Sequence, residues 1–171
     1  MTVELGALAE LEPALRADGF FDSDDRVARV YIGYRATDAL RRSGLAAPPE
    51  PCRLPAIAYT YEAPRDTRGE FAIGDWRATW SEDEYADAVE IVRAAIAEGD
   101  VYQVNLVQHL EAEFSGDPNG IASALAPLRP LEPAPLHGDG WTIVSASPEV
   151  LLSRRGNRIS TSPIKGTRPA G

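Results

Sequence analysis

The chain is nearly without the residues that build covalent cross-links and soft-metal sites: it has one cysteine, Cys52, one methionine and two histidines in 171 residues. A lone cysteine excludes an internal disulfide framework. Two histidines and no Cys/His cluster leave the usual zinc spacings unfilled, whereas carboxylate-bound magnesium stays open on composition. No apolar run is long enough to span a bilayer, and no secretory leader is read at the start. Positive charge is scarce as well, with 17 Lys and Arg against 26 Asp and Glu, a net charge of −9 and a pI near 4.7. That balance disfavours nucleic acid and anionic membrane as partners, because either requires a basic face that releases counterions. An anionic substrate must then be met by local cations, and the compartment that fits these absences is the cytoplasm.

What is present reads as a globular chain, 44% apolar and 25% charged, long enough for a core. A short helical pattern around Leu5 to Leu15 precedes a strand pattern at Val27 to Ile32. The proline-rich stretch Ala46 to Pro51 reads as a connector, and Ala56 to Tyr61 as a second strand. A loop over Ala63 to Gly69 leads to Phe71 to Trp80, where the pattern predicts a short strand and the approach to a helix. The strongest helix signal covers Glu82 to Glu98: Ser81 is placed to cap it, Glu84 completes a capping box, and Gly99 ends it. Tyr85, Val89, Val92 and Ile96 form its apolar stripe.

After Gly99, Val101 to Leu110 alternates as a strand does, with Tyr102, Val104, Leu106 and Leu110 on one face and Gln103, Asn105 and His109 on the other. A solvated sheet face explains the polar row; amides facing a closed ligand pocket are the functional alternative. Trp141 to Ala146 predicts a further strand, leading directly into Ser147-Pro148-Glu149. From Glu149 the chain reads as a hairpin, Glu149 to Arg154 returning through Gly156-Asn157 as Arg158 to Thr161. Near its end stands Ser162-Pro163-Ile164-Lys165-Gly166-Thr167-Arg168-Pro169, a lone lysine on a proline-bracketed loop. A two-residue turn pairs Glu149 with Ile164, and a three-residue turn with a bulge pairs it with Lys165. In either register the carboxylate and the amine are neighbours across about 5 Å. The plain alternative is a weak surface ion pair on an edge hairpin.

Three segments taken together, Gly99-Asp100-Val101-Tyr102-Gln103-Val104-Asn105-Leu106, Ser147-Pro148-Glu149 and Pro163-Ile164-Lys165-Gly166-Thr167-Arg168-Pro169, resemble the chorismate-utilising enzymes in order and spacing. Within that family the chain looks most like component I of the aminodeoxychorismate synthases, the para-aminobenzoate branch. The resemblance covers residues 75–171 as the start of a chorismate-binding catalytic domain and is weak over residues 1–74. It implies an α+β fold, mostly antiparallel sheet with flanking helices, of which this chain is the N-terminal portion.

The resemblance also implies roles. Lys165 stands where related anthranilate synthases usually carry alanine and the para-aminobenzoate enzymes carry lysine, and it becomes the nucleophile toward ring C2 of chorismate. Gln103 stands where isochorismate and salicylate synthases place a lysine that activates water, so glutamine there points to ammonia as the incoming nucleophile. Glu149 is the general acid that protonates the departing C4 hydroxyl. Gly166 and Thr167 contact a substrate carboxylate, and Gln103 helps line the pocket. Ammonia comes from a glutamine amidotransferase component, and Mg2+ is held by glutamates of a C-terminal part beyond Gly171, without which the 171-residue chain is expected to be inactive. Two departures stand out. Leu131-Glu132-Pro133-Ala134-Pro135-Leu136 replaces the family's Asn-Pro-x-Pro-aromatic segment, which weakens the case for its tryptophan-binding site. Ala170-Gly171 replaces the Arg-Gly that usually follows Thr-Arg-Pro.

Overall fold

In the computed structural model, residues 1–36, 53–61, 68–131 and 134–164 are described. They fall into two compact units, one formed by Met1–Glu70 with Asp117–Gly171 and the other by Phe71–Gly116.

The first unit is organised around a three-stranded antiparallel sheet. Its strands are β1 (Val3–Leu5), β2 (Arg29–Ile32) and β3 (Ile57–Thr60), in the order β1-β3-β2. The predicted strands at Val27 to Ile32 and Ala56 to Tyr61 are therefore present and are direct neighbours, Tyr31 opposite Ala58 and Val30 opposite Tyr59. Because β3 has a partner on each side, its whole length is buried, Ile57 to 0% exposure. Only the end of the predicted Leu5 to Leu15 pattern is α-helical: Leu5 closes β1, a 3-10 turn occupies Leu8–Glu10, and helix α1 spans Leu11–Ala17. Its proline, Pro13, lies in the first turn, where a missing N–H costs nothing. Beyond the helix, Asp18 accepts a hydrogen bond from the Tyr59 hydroxyl at 2.8 Å. Burial, and then that carboxylate, push the Tyr59 phenol up to about 12.

The chain returns to this unit at α3 (Asn119–Leu125), where the Asp117 carboxylate accepts from the Asn119 backbone N–H at 2.9 Å and from its side-chain amide at 2.8 Å. Two short strands, β8 (Leu136–Gly138) and β9 (Trp141–Ile143), then form a hairpin. Trp141 donates its indole N–H to Glu4 at 2.7 Å, and the His137 ring bridges Thr142 and Asn119 at 3.1 and 3.2 Å. The segment before β8 is tied to the sheet by the Arg29 guanidinium, which donates to the carbonyls of Ala134 and Pro135. The unit's buried apolar side chains are Leu15, Ile57, Ala58, Tyr59, Ala122 and Leu136.

The second unit carries two strand pairs and one long helix. β4 (Phe71–Ile73) pairs with β7 (Phe114–Gly116), β5 (Arg77–Ala78) with β6 (Leu110–Glu111), and α2 (Glu82–Glu98) runs between them in sequence. The helix has the predicted bounds and the predicted caps. The Ser81 hydroxyl accepts from the Glu84 N–H at 3.3 Å, the Glu84 carboxylate accepts from the Ser81 N–H at 2.8 Å, and Gly99 closes the other end at φ 83°. The Ser81 backbone N–H, and then its hydroxyl, hold the Glu84 carboxyl below the usual carboxylate range. Tyr85, Val89 and Val92 of the expected stripe are half-buried, Ile96 is exposed, and no residue of α2 is fully buried.

The expected strand over Val101 to Leu110 is reduced to its last residue, because β6 begins only at Leu110. The residues before it satisfy their partners another way: Gln108 accepts from the Trp80 N–H and donates to the Trp80 carbonyl, and Thr79 bonds the His109 carbonyl through both backbone N–H and hydroxyl. Tyr102 is 93% exposed. An alternating pattern cannot form a strand where the facing backbone is only two residues long. The connector at Ala46 to Pro51 lies outside the described residues, as does most of the Ala63 to Gly69 loop.

Candidate active site

The site residues read from the sequence lie at separate places in the chain. Glu149 stands immediately before β10 (Val150–Arg155), which forms an antiparallel hairpin with β11 (Arg158–Ser162). Local chemistry holds its backbone. The Ser147 hydroxyl accepts from the Glu149 N–H at 3.2 Å and donates to the Glu149 carbonyl at 3.2 Å. The Ser147 N–H in turn donates to the Ser145 hydroxyl at 3.1 Å, and the Ser147 carbonyl accepts from the Leu131 N–H at 3.2 Å. Proline at 148 contributes no N–H, so the serine closes the turn alone. Glu149 is exposed at the entrance to the hairpin. Sequence reasoning does not single out Ser147 as the residue that holds the Glu149 backbone. A signal for it exists, since a serine two residues before the position it bonds is a standard hydroxyl turn.

The hairpin's register is defined as far as Val150 and Ser162, short of the pairing of Glu149 with Ile164 or Lys165 that the sequence leaves open. Arg155 faces Arg158 across Gly156-Asn157, so the turn has two residues, with Gly156 at φ 56°. Arg154 then faces Ile159 and Ser153 faces Ser160, with the two hydroxyls 3.1 Å apart. Between Val150 and Ser153 the register shifts, and Val150 faces Ser162. A two-residue turn and a bulge thus occur together, where the sequence presents them as alternatives. The bulge sits in β10, where Leu151 and Leu152 stand against Thr161, and the Thr161 hydroxyl bonds the Val150 carbonyl at 3.4 Å. Glu149 lies one residue past the last described pair. Lys165, Gly166 and Thr167 lie outside the described residues.

Gln103 belongs to the second unit, on the irregular, exposed stretch after α2. Within the first unit, an open cleft of about 340 Å3 is lined by Phe20, Phe21, Asp24 and Asp25 on one side and Arg154 and Arg155 on the other, and it does not include Glu149. No group of three or more His, Cys, Asp or Glu side chains among the described residues is placed to hold a metal ion. No helix among them is long and apolar enough to cross a membrane.

The family described as chorismate binding enzyme matches residues 28–171. Among curated relatives, the chain is 44% identical to anthranilate synthase component 1 1 of Haloarcula marismortui, over 52% of this chain and 18% of that protein. It is 37% identical to aminodeoxychorismate synthase component 1 of Bacillus subtilis, over 69% of this chain and 24% of that protein. It is 32% identical to aminodeoxychorismate synthase component 1 of Klebsiella aerogenes, over 97% of this chain and 37% of that protein. The chain thus spans at most 37% of the length of these three relatives. No solved structure matches it significantly.

Proposed function

The chain belongs to the chorismate-binding enzyme family, and on that premise we propose that it is part of an aminodeoxychorismate synthase component I, which converts chorismate and glutamine-derived ammonia to 4-amino-4-deoxychorismate for para-aminobenzoate and folate synthesis. Overall identity does not choose the branch, because the higher value falls on an anthranilate synthase over a shorter stretch and the longer coverage on an aminodeoxychorismate synthase. The observation that carries the choice is Lys165, a lysine where the resemblance gives anthranilate synthases alanine.

An amine attacks carbon only when unprotonated, and a lysine beside a ring-binding pocket loses its proton more readily through desolvation or nearby cations. The Lys165 amine adds at ring C2 as the C4 hydroxyl leaves, and Glu149 protonates that hydroxyl so that it departs as water. Ammonia then adds at C4 while the Lys165 amine leaves C2, which restores the lysine and gives the 4-amino product. The ammonia is supplied by a glutamine amidotransferase partner. Gly166 and Thr167 hold a substrate carboxylate through backbone N–H and hydroxyl donors, with Gln103 lining the pocket. The chain spans 37% or less of these relatives' lengths.

The test joins this chain to the remainder of the Klebsiella aerogenes relative and supplies chorismate with ammonium. A 4-amino-4-deoxychorismate product that disappears with Lys165→Ala supports the reading, and unchanged turnover in that variant overturns it. A second reading, an anthranilate synthase component, is favoured by the 44% identity to the Haloarcula marismortui protein and is recognised by a fluorescent anthranilate product.

A further inference from the structure

Glu149 enters the hairpin at a point where the strand ladder gives it little hold. The outermost described pair is Val150 with Ser162, and the register shifts between Val150 and Ser153. The residue after Ser162 is Pro163, which has no N–H for a further ladder bond. A general acid nevertheless has to be aimed closely, within about 0.5 Å and about 10–20° of its productive geometry.

A serine supplies what the ladder does not. The Ser147 hydroxyl accepts from the Glu149 N–H and donates to the Glu149 carbonyl, both at 3.2 Å. Those two groups belong to the peptide planes on either side of the Glu149 Cα, so one hydroxyl restrains both backbone torsions of that residue and, through them, the direction of its Cα–Cβ bond. Ser147 is itself held at both backbone groups. Its N–H donates to the Ser145 hydroxyl at 3.1 Å, and its carbonyl accepts from the Leu131 N–H at 3.2 Å. Pro148, between serine and glutamate, fixes its own φ and keeps Ser147 extended. On the far side, the Thr161 hydroxyl bonds the Val150 carbonyl at 3.4 Å, so the backbone is tied before and after the acid.

We propose that Ser147 is a positioning residue for the reaction: its hydroxyl aims the Glu149 carboxyl at the departing C4 hydroxyl and touches no substrate atom itself. The proposal rests on the reading of Glu149 as the general acid. A residue that acts only by aiming the acid affects kcat and leaves substrate affinity in place.

The test has two parts. In the isotope-labelled chain, NMR reads exchange of the Glu149 amide, which Ser147→Ala speeds at least about threefold once its acceptor is gone. Ser147→Thr keeps the hydroxyl at an exposed position and restores the slower exchange. In the protein joined to the remainder of the Klebsiella aerogenes relative, with chorismate and ammonium, Ser147→Ala lowers kcat at least about tenfold and leaves KM within about twofold. Ser147→Thr recovers most of that loss, and Ser145→Ala gives a smaller loss in the same direction. Thermal midpoints are measured alongside. The decisive comparison is made in Glu149→Gln, where adding Ser147→Ala should lower kcat by no more than about twofold, because the group that the serine aims is already gone. The same large loss in both backgrounds overturns the proposal and leaves the general acid standing. A raised KM at unchanged kcat also overturns it, since the serine would then be a substrate contact. Unchanged Glu149 exchange in Ser147→Ala overturns it whether or not the joined protein turns over. Full turnover by Glu149→Gln removes the general-acid reading, and the proposal with it.

Discussion

β3 and β11 are short strands in the same unit, Ile57-Ala58-Tyr59-Thr60 and Arg158-Ile159-Ser160-Thr161-Ser162, and they meet opposite environments. β3 is hydrogen-bonded on both sides and buried throughout, while β11 has one partner strand among the described residues and is exposed throughout. Strand propensity is thus satisfied in both, but only β3 is positioned where burial stabilises it. The difference teaches that the first unit owns its core around β3, whereas the hairpin that introduces Glu149 contributes no fully buried side chain to it.

The comparison breaks most readily at Ile57. Ile57→Ala removes a fully buried side chain from the central strand and should cost ~2–5 kcal/mol in denaturant unfolding. A loss under ~1 kcal/mol would mean that the sheet is no better packed than the hairpin.

Tyr59→Phe comes next. It removes the hydroxyl that donates to Asp18 and should cost ~1 kcal/mol near neutral pH. The pH dependence has a definite sign. The folded state raises the Tyr59 phenol from 10.0 to about 12, so it favours the neutral phenol. That contribution is fully present below pH 10 and is lost as pH rises from 10 through about 12. Tyr61 is also raised, by burial first and then by Asp18, and adds in the same direction. Unfolding curves of Tyr59→Phe across this window should fall less steeply than those of the parent; equal slopes would remove Tyr59 from the account.

Gly156→Ala probes the hairpin's own turn. Gly156 has φ 56°, and no atom lies within 4 Å of where an alanine Cβ would stand, so the cost is backbone strain alone, about 1 kcal/mol. It should appear as faster exchange of the β10–β11 amides with little change in the global midpoint. The smallest effect belongs to Leu151→Ser, where an 85% exposed side chain should change stability by no more than ~0.5 kcal/mol in the chain alone.

Legibility in the sequence follows the range of the interactions. The bounds of α2 are readable because Ser81, Glu84 and Gly99 act on backbone groups within one turn of themselves. The Gly156-Asn157 turn is readable for the same reason, and β2 and β3 stand near their expected places. The strand expected over Val101 to Leu110 shrinks because its opposite number, Arg77–Ala78, is two residues long, and nothing in the Tyr102, Val104, Leu106 alternation reports the length of a partner. At the site, Glu149 and its hairpin are legible, but the bulge that moves Val150 opposite Ser162 is not, since a register depends on both strands at once.

By itself, then, the sequence determined the capped helix, the two-residue turn and the motifs that place the chain among chorismate-binding enzymes, all written in residues a few positions apart. Only the tertiary structure decided that β3 is interior and β11 is not, and that a bulge separates Glu149 from the simple registers. Caps and turns are closed by neighbours along the chain, whereas burial and strand register are set by whichever distant backbone arrives beside them.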